Sequence, residues 1–334
     1  MLALSLASFF ITIVTLILII TLSHKHDYFM DESDKSRPQN YHSHTTPRAG
    51  GLGIFAGLLL FVLSPFALKL LLPISLAFLS GIFEDFHNSL SPRRRLALQI
   101  IAALSAVWLT DSVVTYLGLG ISMPYWAGVI FSIFAIVGMM NAVNIIDGFN
   151  GLASGIILLI LLSFAIVSYT QHDMDIFYIL LTTIGAILAF LFLNFPKGKI
   201  FLGDGGAYML GFIVAIIGIF LASTYERVSP WYILAIFIYP VWEVIFSIIR
   251  KLYIGLSPMQ PDSYHLHMLI YRHITKNNPL TSLFILGTTI PFMTLSTIFP
   301  NKSISNIFIS LTFIICYCML YYILYKKEKK VSLP

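Results

Sequence analysis

Long apolar segments separated by short polar ones run along almost the whole chain. A helix needs about 20 apolar residues to cross a bilayer, and lipid offers no partner for unpaired backbone groups. The pattern therefore predicts membrane-spanning helices, because a β-barrel would alternate within segments of about 10 residues. Eleven candidate spans result: residues 2–22, 50–65, 66–83, 96–112, 124–140, 152–169, 176–195, 206–222, 231–249, 281–299 and 305–325.

The division between the second and third spans rests on two residues, Ser64 and Pro65. One long kinked helix is the alternative, and it would reverse the topology of everything that follows. Composition supports the membrane class, since 58% of the 334 residues are apolar and only 10% are charged. A soluble domain could not cover its surface with so few polar groups. The predicted fold is an all-α polytopic membrane bundle.

The distribution of basic residues gives the bundle an orientation. With the N-terminus outside, 17 of the 20 Lys and Arg residues fall in the inside segments. The positive-inside rule therefore favours eleven spans with the C-terminus in the cytoplasm. The net charge of +5 then reflects membrane anchoring and does not imply nucleic-acid binding. The inside segments are residues 23–49, 84–95, 141–151, 196–205, 250–280 and 326–334.

The first inside loop carries Arg48, between Pro47 and a glycine-rich segment. A fixed turn, a guanidinium and an unhindered backbone suit an anion bound near the membrane surface. A positive-inside anchor beside glycine-mediated helix packing is the plainer interpretation, and sequence physics alone favours it.

The second inside loop begins with two adjacent acids, Glu84 and Asp85, and continues to three arginines at residues 93–95. Paired carboxylates can hold a divalent cation or take a proton from a phosphate. An ion pair between loop neighbours is the alternative. Two acids at the end of a helix oppose its dipole, which makes a purely structural role less favourable.

The third loop, "NAVNIIDGFNGLASG", places amide and carboxylate groups at three-residue intervals. Asn and Asp offer paired donors and acceptors that suit a nucleobase edge or a ribose. Glycines at residues 148 and 151 predict a helix break here. Helix capping is the alternative, but one cap explains only one of four such residues. The four are Asn141, Asn144, Asp147 and Asn150.

The fourth and fifth loops add single candidates. Asp204 lies between glycines just before a span, where it could cap a helix or approach a phosphate or metal. His265 and His267 would point the same way in an extended loop and could contact a phosphate, sugar or metal. Glu243 lies within a predicted span, so it is either a functional acid or the partner of Arg250 two turns later.

Acids that can hold Mg²⁺ and bases that can hold phosphates are thus predicted on one membrane face, as phosphoryl transfer requires. Five segments in order resemble the polyprenyl-phosphate N-acetylhexosamine-1-phosphate transferase family of glycosyltransferase family 4. They are "TPRAGGLGIF", "EDFHNSLSPRRRL", "NAVNIIDGFNGLASG", "FLGDGGAYMLGF" and "SPMQPDSYHLHM".

The resemblance implies transfer of a sugar 1-phosphate from a UDP-sugar to undecaprenyl phosphate, with release of UMP. The cofactor would be Mg²⁺, with Mn²⁺ as a substitute, held by Asp204 and Asp147. Asp85, with Glu84 beside it, would deprotonate the lipid phosphate so that it attacks the donor directly. A two-step route through an aspartyl phosphate stays open. The implied substrate contacts are Asn144, Asp147, Asn150, His265, His267, Arg48, Arg94 and Lys197.

The chain departs from the family pattern at three positions. Glu84 and Asn150 stand where an Asp is usual, and Met268 stands where a further His is common. The last segment looks more like members that start O-antigen or capsule lipids. The peptidoglycan pentapeptide transferase is the rival within the family, and a transporter is the rival outside it, although transporters place polar groups near the midplane.

The resemblance also implies a location and partners. We expect residues 1–334 to form one transferase domain in a bacterial inner membrane, with the active site on the cytoplasmic face. The expected partners are a UDP-sugar, a polyprenyl phosphate and the bilayer, without nucleic acid, and a homodimer is left open.

Overall fold

The computed structural model describes residues 2–26, 29–31, 45–87, 90–258, 260 and 262–331. Part of the predicted first inside loop, with Lys35 and Arg37, lies outside these residues. The described helices are α1 (Leu2–His26), α2 (Gly50–Leu58), α3 (Pro65–His87), α4 (Pro92–Thr110), α5 (Tyr125–Ile146), α6 (Leu152–Thr170), α7 (Met174–Asn194), α8 (Gly203–Thr224), α9 (Pro230–Ile236), α10 (Ile238–Tyr253), α11 (Leu266–Ile270), α12 (Asn278–Ile298) and α13 (Ser303–Val331).

Two short antiparallel pairs of strands accompany the helices. One pairs β1 (Met30–Asp31) with β2 (Thr46–Pro47), and the other pairs β3 (Tyr116–Gly118) with β4 (Ile121–Ser122). A 3₁₀ turn, Leu59–Leu63, extends α2, and a π-helical turn, Tyr271–Thr275, extends α11. The helical prediction is confirmed, and the strands only tie loops together.

Eight helices of the described residues are long and apolar enough to cross a membrane, namely α1, α3, α5, α6, α7, α8, α12 and α13. The pair α9 and α10 would make a ninth span but bends by 77° between its two parts. A multi-pass helical membrane protein is therefore confirmed. Its span count differs from eleven in three places: α2, α4 and the α9–α10 pair.

Each difference has a local cause. The apolar segment from Gly50 to Leu63 is a short helix that ends before Ser64, and α3 starts afresh at Pro65, so residues 50–83 form two helices. Three arginines occupy the first turn of α4 and shorten its apolar part. Pro240 has no backbone N–H and its ring would clash with the carbonyl of Ile236, where α9 ends.

Helix α8 lies at the centre and is the most buried of the candidate spans. It packs against α3 and α5. Glycines permit this approach: a methyl group added at Gly81 of α3 would lie 2.3 Å from the backbone nitrogen of Gly205, and one at Gly51 of α2 would lie 2.5 Å from that of Gly206. The first turn of α8 is therefore held against two other helices with no side chain between them.

The predicted inside loops meet at one end of the bundle. The backbone N–H of Phe201 in the fourth loop donates to the carbonyl of Pro47 in the first, at 2.8 Å. The backbone N–H of Asn150 in the third donates to Oδ1 of Asn278, where the fifth loop enters α12, also at 2.8 Å. This gathers side chains that lie up to 219 residues apart in the sequence, from Arg48 to His267, around the start of α8.

Candidate active site

Asp204 occupies the first turn of α8, where unpaired backbone N–H groups favour a carboxylate. The residue before it, Gly203, has φ 77°. A methyl group added there would lie 2.7 Å from both the carbonyl oxygen of Arg48 and Oδ2 of Asp85. Glycine is therefore required at this position, both for the backbone conformation and for the space.

Asp85, in the last turn of α3, caps this helix from outside. Its Oδ1 accepts from the backbone N–H of Asp204 at 2.9 Å and its Oδ2 from that of Gly205 at 3.0 Å. The side chain is 1% exposed. An acid at the end of α3 is unfavourable to that helix alone, but the positive N-terminal end of α8 offsets it.

Two guanidinium groups and an amide surround the Asp204 carboxylate. Oδ1 accepts from Nη2 of Arg48 at 3.3 Å and from Nδ2 of Asn144 at 3.0 Å. Oδ2 accepts from Nη1 of Arg95 at 3.3 Å. The first, second, third and fourth loops thus meet at one carboxylate, which is 15% exposed. Cationic groups that neutralise an acid in this way can exchange it for an anionic ligand.

Glu84 precedes Asp85 and is half-buried. Its Oε1 lies 3.9 Å from Nη1 of Arg95. Its Oε2 is buried and has no hydrogen-bond partner among the described residues. A buried carboxylate oxygen without a partner is suited to receive a proton or a cation.

Asp147 follows the last residue of α5 and is half-buried beside the cluster. Burial raises its pKa to about 7, with Arg48 opposing the rise and the charge of Asp204 adding to it. The carboxyl group therefore exchanges its proton near neutral pH. A bound cation would hold it in the ionised form.

Asn150 joins two loops. Its Nδ2 donates to the carbonyl of Pro196 at 2.9 Å, and its backbone N–H is held by Asn278. Asn194 completes the junction, because its Oδ1 accepts from the backbone N–H of Gly151 at 2.7 Å. The Asn150 amide thus has a structural partner, and its side chain lies against Gly198 of the fourth loop.

His265 and His267 point the same way. His265 has an extended backbone just before α11, and the two rings are parallel within 6°, with centroids 5.3 Å apart. Nδ1 of His265 lies 2.9 Å from Oε1 of Glu243. The alternative in which Glu243 pairs with Arg250 is wrong, since Arg250 binds Asp262 at 2.8 Å.

His267 is fully buried, and its ring faces the third loop. A methyl group added at Gly148 would lie 3.6 Å from Nε2 of His267, and the Phe149 ring meets the imidazole edge to face at 5.7 Å. Nε2 has no hydrogen-bond partner among the described residues. Burial lowers the pKa of His267 to about 4, so the imidazole is neutral at physiological pH.

Two predicted contacts stay outside this cluster. Arg94 and Lys197 are both exposed, and Arg95 is the arginine that reaches Asp204. The sequence offers three adjacent arginines at the start of a helix, and only the rotation of α4 against α3 distinguishes them. Glu243 is also closer to the site than its position within a span suggested.

The donor set suits a metal shared with a ligand. Among the residues described, no three His, Cys, Asp or Glu side chains form a protein-only metal site. Mg²⁺ is usually held by one or two carboxylates together with phosphate oxygens. Asp204 and Asp147 supply such carboxylates, and no described residue donates a hydrogen bond to the Asp147 carboxylate. These residues therefore fit Mg²⁺.

Comparison with known proteins places the chain in a family. Residues 67–222 match the family model described as Glycosyl transferase family 4. The matched region contains Glu84, Asp85, Asn144, Asp147 and Asp204. Arg48 and the two histidines lie outside it, although the structure brings them to the same end of the bundle.

Two relatives match most of the chain. An undecaprenyl-phosphate alpha-N-acetylglucosaminyl 1-phosphate transferase of Thermotoga maritima is 30% identical over 273 residues, covering 80% of each chain. A probable undecaprenyl-phosphate N-acetylglucosaminyl 1-phosphate transferase of Bacillus subtilis is 28% identical over 278 residues, covering 78% of this chain and 75% of its own. A phospho-N-acetylmuramoyl-pentapeptide-transferase of Streptococcus agalactiae is 34% identical over 145 residues, covering 42% of this chain and 43% of its own.

Proposed function

Because the chain belongs to glycosyl transferase family 4, we propose that it transfers an N-acetylhexosamine 1-phosphate from a UDP-sugar to undecaprenyl phosphate and releases UMP. The product would start a lipid-linked envelope glycan such as O-antigen or capsule. The observation that carries the proposal is the Asp204 carboxylate held between Arg48 and Arg95 at the start of α8. This is an acid with two exchangeable cationic partners at the end of a membrane bundle.

The two cations explain how two anionic substrates can approach each other. In the free protein Arg48 and Arg95 neutralise Asp204. When the substrates bind, the guanidinium groups turn to the phosphates, since bidentate contacts to phosphate are among their strongest. Mg²⁺, or Mn²⁺ in its place, would then be held by Asp204 and Asp147 and would neutralise charge on the leaving phosphate.

Asn144, Asp147 and the histidine pair would hold the nucleotide donor. Asn144 and Asp147 lie on either side of the break that ends α5, and His267 faces the same turn from the fifth loop. Amide and carboxylate groups suit the ribose or base, and a neutral imidazole suits a phosphate or sugar oxygen. Arg94 and Lys197 are exposed at the rim and would attract the anionic donor at longer range.

The acid that deprotonates the lipid phosphate is better assigned to Glu84 than to Asp85. Both Asp85 oxygens accept backbone hydrogen bonds, whereas Oε2 of Glu84 is buried without a partner in the described part of the chain. Glu84 would take the proton, and the freed oxygen would attack the β-phosphate of the donor. Asp85 would hold the first turn of α8 in place during the reaction.

The orientation follows from the same proposal. The inside loops meet at the site end, so the site would face the cytoplasm, where UDP-sugars are made. The N-terminus would then lie outside, with eleven passages of the chain in a bacterial inner membrane, the short α2, α4 and the bent α9–α10 pair included. A homodimer is compatible with this arrangement.

The test is a transfer assay with membranes that contain this protein, undecaprenyl phosphate, Mg²⁺ and a panel of UDP-N-acetylhexosamines. UMP release and labelled lipid are followed together. We expect magnesium-dependent transfer from one donor, and Asp204→Asn should abolish it while the protein stays folded. Lys197→Ala is the matched control at an exposed charge, and it should retain at least a third of the activity.

The pentapeptide transferase is the second candidate, because relatives with that name match part of the chain at 34% identity. The same assay separates the two when UDP-N-acetylmuramoyl pentapeptide is included as a donor. Transfer from that donor alone would show that the protein is a pentapeptide transferase and would contradict the proposed donor. Transfer from neither class of donor, by folded protein, would contradict both candidates.

A further inference from the structure

Glu243 is a buried carboxylate whose partners lie on two other elements, the start of α11 and α13. It sits in α10, is 1% exposed, and its two oxygens are fully used. Oε1 accepts from Nδ1 of His265 at 2.9 Å and from the backbone N–H of Leu266 at 3.1 Å. Oε2 accepts from the hydroxyl of Tyr317 in α13 at 2.8 Å. A buried acid is tolerated only when it is satisfied in this way.

These contacts determine the proton position on His265. A carboxylate accepts but cannot donate, so Nδ1 of His265 must carry the proton. Nε2 then points away from Glu243 and lies 4.0 Å from Oδ1 of Asp262. The second contact, to the N–H of Leu266, satisfies the first backbone donor of α11. One side chain therefore fixes both the ring of His265 and the start of the helix that carries His267.

The orientation of His265 is passed to His267 by direct contact. The His267 ring stacks parallel to that of His265, and its Nε2 faces Gly148. The hydroxyl of Tyr239 lies 3.5 Å from Nδ1 of His267 and can donate to it, which leaves the imidazole proton on Nε2. Nε2 is buried, has no hydrogen-bond partner among the described residues, and faces the turn after Asp147.

We propose that Glu243 is a positioning residue for the donor diphosphate, acting through the His265–His267 pair. The Nε2–H group of His267 donates to a phosphate oxygen of the UDP-sugar at the turn formed by Asp147 and Gly148. This rests on the proposed function, and it adds a residue 22 positions before His265 to the donor site. Glu243 itself does not touch the donor.

Three variants test this by steady-state kinetics with both substrates varied. Glu243→Leu removes the hydrogen-bond acceptors but keeps a side chain of similar size. It should raise KM for the UDP-sugar roughly 10- to 100-fold with little change in KM for undecaprenyl phosphate. Glu243→Gln keeps an acceptor oxygen for His265 and Leu266, and it should return the donor KM to within about 3-fold of wild type. Tyr317→Phe removes the other bond of the same carboxylate and should lower thermal stability without this donor effect.

A double variant separates positioning from general destabilisation. If Glu243 acts through His267, Glu243→Leu combined with His267→Ala should have the donor KM of His267→Ala alone, within about 2-fold. If the fold increase in donor KM of the double variant equalled the product of the two single-variant increases, the proposal would be overturned. So would an equal rise in KM for both substrates in Glu243→Leu.

A second readout does not depend on turnover. The ¹⁵N shifts of the His265 ring at pH 8 should show the proton on Nδ1 in wild type and a mixture of tautomers in Glu243→Leu. A proton on Nε2 in wild type would overturn the positioning role. If wild type transfers no sugar phosphate, the proposed function fails, while the ring-nitrogen measurement still decides whether Glu243 orients the pair.

Discussion

The Asp85 carboxylate accepts hydrogen bonds from the backbone N–H groups of Asp204 and Gly205, so that the end of α3 holds the start of α8. The two aspartates are 119 residues apart in the sequence. Asp85 therefore acts on the position of the Asp204 carboxylate, and Glu84 beside it has one oxygen that accepts no hydrogen bond from the described residues.

Asp85→Asn should reduce both activity and stability. One backbone N–H of α8 would face an amide NH₂ group, leaving a buried donor without a partner, which costs about 1–3 kcal/mol. We expect at least 100-fold less transfer and a lower thermal midpoint in detergent, whereas Glu84→Gln should lose activity at an unchanged midpoint. Loss of activity without loss of stability in Asp85→Asn would instead make Asp85 the proton acceptor.

Arg95 and Arg94 provide a matched pair. Arg95 binds Asp204 at 3.3 Å, and Arg94 is exposed one residue earlier. Arg95→Ala should reduce transfer by at least 30-fold, because a cation that can move from Asp204 to a phosphate is lost. Arg94→Ala should remain within about 3-fold of wild type at 0.15 M salt. Equal effects of the two substitutions on UMP release would contradict this geometry.

Asn150→Asp should weaken the junction between the third and fourth loops. The substituted carboxylate would face the carbonyl of Pro196, to which Nδ2 of Asn150 now donates at 2.9 Å. We expect a loss of about 1 kcal/mol in unfolding free energy at pH 7.5. The loss should shrink at pH 4, where the new carboxyl group can carry a proton and donate. Thermal unfolding at the two pH values checks this, and a loss that does not depend on pH would refute it.

Asp147 should make the stability of the metal-free protein depend on pH. Its folded-state pKa of about 7 lies above the ordinary aspartate value of 3.8, so the folded protein binds the proton more tightly than the unfolded chain. The contribution to stability is complete below about pH 4 and is lost as the pH rises through 7. Asp147→Asn should therefore gain at least about 2 °C in thermal midpoint relative to wild type between pH 5 and pH 8 without Mg²⁺. No relative gain would show that the carboxyl group titrates at its ordinary value.

The sequence predicts the helical class from apolar length, and it predicts that the loops carrying the candidate residues meet at one end of the bundle. It also predicts the break between α5 and α6, where Gly151 has φ 77°. The count of eleven spans stays a prediction where a helix bends or shortens, at α2, α4 and the α9–α10 pair. The break near Pro240 and the three arginines that open α4 are visible in the sequence, but their effect depends on what packs against them.

Site residues can be selected from the sequence, whereas their partners cannot. Arg95 and Arg94 differ only in the direction that each faces on α4. The role of Asp85 as a cap depends on glycines at residues 81 and 205, which let two backbones approach. The partner of Glu243 is a histidine 22 residues away across a loop, and helical spacing pointed to Arg250 instead.

In the proposed reaction a sugar 1-phosphate, and not the sugar alone, moves to the lipid. The most direct measurement uses purified protein, undecaprenyl phosphate, Mg²⁺ and UDP-N-acetylhexosamine labelled with ³²P at the β-position. The label should enter the lipid in equal amount to the UMP released. Label retained in released UDP, with an unlabelled phosphate on the glycosylated lipid, would contradict it.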